Sequence, residues 1–161
     1  MSSEKTIISW NKIITDTLLL SKQLKDIDAI ITVSRGGCIP GALLAYHLNV
    51  KTVVNFAIQS YSDDKTQNNI TVLQYPDSEF LITNKNKNVL VVDDLSDKGT
   101  TLAFIQRYLN SYKIHPLFCT LYVKNGTALM PDHYIETFDS NIWLEFPWDN
   151  LSDSLASFIP A

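Results

Sequence analysis

An α/β domain built on a parallel sheet is what this sequence predicts, and three observations carry that expectation. Short, largely apolar runs recur at Ala29–Val33, Val89–Val92 and Leu117–Val123, the first two rich in Val and Ile, without the polar alternation of a half-exposed sheet. Strands covered on both faces read this way. Two of these runs end in a polar, glycine-containing loop followed by an apolar segment of helical spacing, the strand–loop–helix step of a parallel α/β unit. A length of 161 residues with 45% hydrophobic content suits one domain, residues 1–161, with a core of its own.

Charge and composition exclude several function classes. A net charge of −4 argues against nucleic acid as a partner. From Gly126 onward the chain carries Asp132, Glu136, Asp139, Glu145, Asp149 and Asp153 but no Lys or Arg, so this region is expected at a base or an interface rather than on polyphosphate. The longest apolar runs fall far short of a membrane crossing, so no integral membrane segment is expected, and the N-terminus lacks a secretory pattern. Cys38 and Cys119 provide neither a disulfide framework nor metal-ligand spacing; free thiols in a reducing cytoplasm are the expectation.

Taken in order, Ser9 is placed to cap a helix with Trp10, Ile13, Ile14, Thr17, Leu18 and Leu24 along one face. The buried strand Ala29–Val33 ends in Ser34-Arg35-Gly36-Gly37, and Pro40 opens a helix through Leu48. Glycines let a backbone approach a ligand, and an Arg fork beside exposed N–H groups suits a diphosphate. Thr52–Ile58 reads as a strand. The most polar stretch of the chain, Gln59–Asn69, then leads to a short strand Ile70–Leu73, as a flap would. Tyr75–Asn88 reads as a connection with solvated charges. Leu117–Val123 ends in Lys124, an ammonium at the sheet edge able to donate to a ligand carbonyl. Tyr134–Phe138 reads as a strand of a small C-terminal subregion, and Asn141–Trp148 sets Trp143 and Trp148 about an acidic, proline-containing turn.

The stretch with the most chemistry is Val89–Leu102. Its apolar strand stops on Asp93-Asp94, and the loop Leu95-Ser96-Asp97-Lys98-Gly99-Thr100-Thr101 leads into a helix over Leu102–Leu109. Such a step sets backbone N–H groups and a helix N-terminus around one small volume, which suits a phosphate. Carboxylates at a strand's carboxyl end suit ribose hydroxyls or a divalent cation. Side chains of adjacent strand residues point to opposite faces, so Asp93 and Asp94 are not expected to clasp one ion together.

This stretch resembles the phosphoribosyl-diphosphate-binding motif of the type I phosphoribosyltransferases. Ser34–Ala45 and Trp143-Leu144-Glu145-Phe146-Pro147-Trp148 extend the resemblance to the bacterial xanthine–guanine phosphoribosyltransferases, over roughly Trp10 to Trp148. The resemblance implies the type I phosphoribosyltransferase fold, a lid at about residues 60–71 and a purine-binding hood at about 124–150. It implies transfer of the 5-phosphoribosyl group from phosphoribosyl diphosphate to guanine, xanthine or hypoxanthine, with Mg2+ as cofactor.

By the same resemblance, Arg35 and the Gly36 amide hold diphosphate, with a cis peptide at Arg35–Gly36. Asp93 and Asp94 position the ribose, and Asp94 assists the magnesium. The loop Leu95, Ser96, Asp97, Lys98, Gly99, Thr100 and Thr101 cradles the 5-phosphate. Asp97 also handles the purine proton as general base, Lys124 meets the six-position oxygen, Trp143 stacks on the base, and the Leu144 main chain reads its edge. A homodimer or homotetramer is implied. Three departures stand out: Lys98 stands where Thr is usual, Thr100 replaces a Gly, and Lys65 is the only cation in a lid that commonly carries an Arg.

A phosphoribosyltransferase-like regulator or nucleotide sensor with little turnover is the alternative. The lid departure favours it, while Asp97, Lys124 and Trp143 oppose it. A receiver domain is excluded because too little chain follows Asp94, and a Walker-type site because no Gly-x-x-x-x-Gly-Lys-Ser/Thr occurs.

Overall fold

A computed structural model of the chain describes residues 4–61 and 69–151. In order they form β1 (Lys5–Ile7), α1 (Trp10–Ser21), β2 (Ala29–Ser34), α2 (Cys38–His47), β3 (Thr52–Tyr61), β4 (Asn69–Gln74), α3 (Ser78–Thr83), β5 (Val89–Ser96), α4 (Thr100–Ser111), β6 (Leu117–Lys124), β7 (Glu136–Phe138) and β8 (Trp143–Glu145). The main sheet runs β4-β3-β2-β5-β6-β7, parallel throughout except for the antiparallel β3–β4 pair. After β2 the chain winds to one side, through α2 to β3; after β5 it winds to the other, through α4 to β6. The order therefore reverses between β2 and β5, and ligands of open α/β sheets bind at the carboxyl ends of the strands flanking such a point.

Strand alternation sorts the central strands into two cores. Ile30, Leu90, Val92, Leu121 and Tyr122 pack with Ile13 and Leu20 of α1, Leu44 of α2, and Leu144 and Phe146. Ala29, Ile31, Val33, Val89, Val91 and Phe118 pack on the opposite side with Phe80 and Leu81 of α3 and Leu102, Ile105 and Leu109 of α4. These strands lack a polar face because neither face meets water.

Several expectations shift. On α1, Ile13 and Thr17 are buried as expected, but Ile14 and Leu18 are 51% and 41% exposed, and Asp16 takes a buried place instead. The Tyr75–Asn88 connection contains the short helix α3, capped by Asp77, whose carboxylate accepts from the Phe80 N–H at 2.7 Å. The strand within Tyr134–Phe138 belongs to no separate subregion; β7 closes the edge of the main sheet beside β6. The C-terminal Trp143–Glu145 run pairs in parallel with β1, from the far end of the chain. Among the described residues no helix is long and apolar enough to cross a membrane.

Asp16 is tied into the interior by charge and hydrogen bonding. It accepts from the buried Tyr122 hydroxyl at 2.7 Å and pairs with Lys12 Nζ at 2.9 Å, and Lys12 reaches Glu136 at 3.2 Å. This joins α1 to β6 and β7. Removing a buried carboxylate strands its partners, so Asp16→Ala should cost about 2–3 kcal/mol in urea unfolding and Tyr122→Phe about 1 kcal/mol. Equal, negligible losses would show that α1 is held by apolar contacts alone.

Candidate active site

The apolar run of β5 carries the chain to the sheet's carboxyl end, where Asp93 and Asp94 emerge half-buried. A cleft of about 310 Å³ opens there, lined by Val33 and Ser34 from β2, Ile58 from β3, and an unbroken run from Asp93 to Leu102. Gly99 has φ +75° and precedes α4 without any side-chain cap. The first amides of α4, at Thr100 and Thr101, therefore face the cleft end of the helix, where an anion is favoured.

The two loops flanking the topological switch meet. A Cβ on Gly36 would fall 1.9 Å from Asp94 Oδ2, so the backbone of the Ser34–Gly37 loop lies directly on that carboxylate. A non-proline cis peptide is present at Ser34–Arg35, one residue earlier than the Arg35–Gly36 bond expected from the resemblance. Arg35 is exposed at the tip of this loop.

Asp93 and Asp94 both line the cleft. The cleft spans the very end of the sheet, where both faces become accessible, and Asp93 folds back so that its Oδ1 accepts from the Asp94 N–H at 2.9 Å. Burial, and then the charge of Asp94, hold the Asp93 carboxyl well above its ordinary pKa. Burial raises Asp94 as well, against hydrogen bonds that lower it, and the charge of Asp149 adds to the rise. Asp149, in the turn after Trp148, was not marked out by sequence; only the folded chain brings it toward Asp94.

Of the residues expected at the base, Asp97 lines the cleft, while Lys124, Trp143 and Leu144 lie outside its lining. Lys124 follows Val123, the ladder partner of Ser96, so it sits beside the start of the loop that leads from β5 to α4. It is only 4% exposed, and its Nζ donates to the Asp139 carbonyl at 3.3 Å. Trp143 is 62% exposed, whereas Leu144 is buried in the core. The Trp143 N–H donates to Glu4 O and Glu145 O accepts from the Ile8 N–H. The Leu144 amide and carbonyl consequently turn to the edge of β8 away from β1, where no further strand pairs among the described residues. Beneath, Phe146 stacks on Trp148 at 4.8 Å and Trp148 meets Trp10 at 5.9 Å, so Trp148 anchors the hood. Of the lid, Lys65 and its neighbours lie outside the described residues, as does the C-terminal tail.

Sequence also missed Asn55. From β3 its Nδ2 donates to Ser34 Oγ at 3.0 Å, while its Oδ1 accepts from Thr32 Oγ1 at 3.2 Å. That bracket fixes the end of β2 where the diphosphate loop departs.

The phosphoribosyl transferase domain family matches residues 7–154. The chain belongs to that family. It is 30% identical, over 92% of its own length and 89% of the relative's, to a xanthine-guanine phosphoribosyltransferase of Idiomarina loihiensis. In fold it is similar to the xanthine-guanine-hypoxanthine phosphoribosyltransferase of Helicobacter pylori, with TM-score 0.80 at 22% identity, covering 96% of this chain and 99% of the other. It is likewise similar to a purine phosphoribosyltransferase of Pyrococcus horikoshii, with TM-score 0.76 at 24% identity over 90% and 93% of the two chains. A phosphoribosyltransferase is an enzyme of pentosyl transfer, and the convergence of the two loops on one cleft is the arrangement such chemistry needs.

Two outcomes follow from this geometry. Gly36→Ala should leave the unfolding midpoint nearly unchanged, because the displaced atoms are the tip of a side chain, yet raise KM for phosphoribosyl diphosphate about tenfold or more. An unaltered KM would show that Asp94 does not meet the substrate. The second concerns pH. The folded carboxyls hold protons to higher pH than in the unfolded chain, so the native state gains stability as pH falls through that raised range and loses it above. Asp93→Asn should therefore raise the melting midpoint at pH 8, without divalent cations, at about 2–4 °C per kcal/mol relieved. The gain should shrink as the pH is lowered, and a constant gain would place its origin elsewhere.

Proposed function

We propose that this chain salvages purines by transferring the 5-phosphoribosyl group from phosphoribosyl diphosphate to a 6-oxopurine, giving the nucleoside monophosphate and diphosphate. The observation that carries this reading is the contact of the Gly36 backbone with Asp94: diphosphate loop and ribose-phosphate loop face one volume, and one activated sugar lies across both. The curated relative's name, xanthine-guanine phosphoribosyltransferase, supports the choice of base.

In this reading the 5-phosphate sits on the amides from Asp97 to Thr101 and the hydroxyls of Thr100 and Thr101, with Lys98 adding a cation. Arg35 and the Gly36 amide hold the diphosphate. Asp93 and Asp94 take the ribose hydroxyls. When the bond between C1 of the ribose and the diphosphate oxygen breaks, positive charge develops on the sugar and negative charge on the leaving group. The loops stabilise the second and orient the first. The purine nitrogen then bonds to C1, and Asp97, exposed in the cleft lining, takes the proton that the ring gives up. Lys124 donates to the six-position oxygen, Trp143 stacks on the ring, and the Leu144 main chain meets its edge.

Magnesium fits the donor set. Adjacent half-buried carboxylates, each raised by burial, form a site whose charge a cation relieves, and all-oxygen ligation suits that ion. Asp94 would hold it, with Asp93 and Asp149 adding to the field. Bound there it would neutralise diphosphate charge. Among the described residues no cluster of three or more His, Cys, Asp or Glu side chains is arranged to hold a metal. The exposed Ile14, Leu18 and Leu19 of α1 and Tyr46 of α2, the last 88% exposed, fit a face covered by a second copy in a homodimer or homotetramer.

Turnover with phosphoribosyl diphosphate, magnesium and each of guanine, xanthine, hypoxanthine, adenine and uracil tests the reading. Product is expected from 6-oxopurines only, and no product from any base would favour a nucleotide sensor. Asp97→Asn should lower kcat by about a hundredfold or more with sugar-phosphate affinity largely kept. Equal loss of both would remove the proton-handling role.

A further inference from the structure

The short segment after β6 joins the base side of the site to its phosphate side. It leaves Lys124 through the Asn125-Gly126 turn, and the Thr127 N–H returns to the Lys124 carbonyl at 3.3 Å. Thr127, Ala128 and Leu129 then lie along the phosphate loop. The Ala128 N–H donates to Lys98 O at 2.9 Å. Ser96 Oγ and Thr127 Oγ1 stand 2.9 Å apart, and each is 3.2 Å from Leu129 O. A Cβ on Gly99 would meet Leu129 N and Thr127 Oγ1, both at 2.5 Å, so the strap touches the loop at its tightest point.

From this geometry we propose that Thr127 is a positioning residue that couples occupation of the phosphate loop to the placement of Lys124, so that sugar phosphate and purine bind each other's enzyme form more tightly. The assignment of the two subsites rests on the transferase reading above. Ser96 is 2% exposed, so its hydroxyl has little access to water and depends on these partners. The two hydroxyls share two protons among three contacts. Either Ser96 donates to Thr127 and Thr127 to the Leu129 carbonyl, or the direction reverses. A loop that closes its amides on a phosphate moves Lys98 and Gly99. Through the Ala128 hydrogen bond and the hydroxyl pair, that movement reaches the turn that carries Lys124. Coupling of this kind is reciprocal: what the sugar phosphate does for the base, the base does for the sugar phosphate.

The test titrates hypoxanthine onto the full chain, with magnesium, in the absence and presence of saturating ribose 5-phosphate. The wild-type affinity should tighten about five- to tenfold when ribose 5-phosphate is present. In Thr127→Val, which keeps the shape and loses the hydroxyl, the ratio should fall to near one while each separate affinity changes by less than about threefold. Thr127→Ser should restore the ratio. If Thr127→Val melts early, Ser96→Ala reads the same hydroxyl pair and should also lower the ratio, and the double variant should lower it no further. A wild-type ratio of one, or a Thr127→Val ratio equal to the wild type's, overturns the coupling. Wild-type turnover with a 6-oxopurine is measured separately: its absence counts against the transferase reading, whereas a lost ratio with normal turnover counts against the strap alone.

Discussion

Two adjacent carboxylates, held half out of water at the end of a buried strand, are the constraint around which the site is arranged. Burial raises the cost of ionising both Asp93 and Asp94, and the charge of Asp94 raises that of Asp93 further. Chains selected for stability alone have no use for such a pair at a sheet end. Its neighbours suit a ligand that carries both hydroxyls and an anion: glycine backbone on Asp94, and the amides of a helix start a few residues on. The unfavourable charge is local and is relieved by binding, so the energy stored against folding is available to hold a ligand.

Topology supplies the second partner. Because the winding direction reverses between β2 and β5, no crossover helix covers the gap between their carboxyl ends. The loop after β2 and the loop after β5, more than fifty positions apart in sequence, thereby become neighbours. The scaffold beneath is stiff: parallel strands lie between two apolar layers, with the Asp16–Tyr122–Lys12 tie holding α1 against β6 and β7. Rigid strands carry the loops, and the loops carry the chemistry.

Much of this was legible in the sequence where the signal is local. Runs such as Val89–Val92 announce a strand covered on both faces because every residue in them is apolar, and Asp93–Thr101 announces an anion site because its spacing is chemical. What was illegible is non-local. β1 and β8 are three residues each and exist only because they find each other across the length of the chain. Asp16 carried no signal in the sequence, because the Tyr122 hydroxyl that meets it lies far away along the chain. The cis bond at Ser34–Arg35 fell one residue from its expected place because aligning a motif by its Arg and glycines leaves the peptide register open. Asn55 and Thr127 carried no signal at all, since a lone polar residue in a strand or turn is common; only distances to Ser34 and Ser96 distinguish them.

The charge distribution divides labour between the two ends of the cleft. Arg35 and Lys98 stand on the two loops proposed to hold phosphates, while the chain after Lys124 has acidic side chains and no Lys or Arg. A base carries no phosphate, so the hood can be acidic without repelling it, and its Asp149 can add to the field at Asp94. Lys124 is the exception, placed where the two halves meet and buried against the Asp139 carbonyl. An ammonium so far out of water with one neutral acceptor gains most from a further carbonyl oxygen. A 6-oxopurine offers one where adenine offers an amino group, a difference that favours the oxo base at this position without any change in shape.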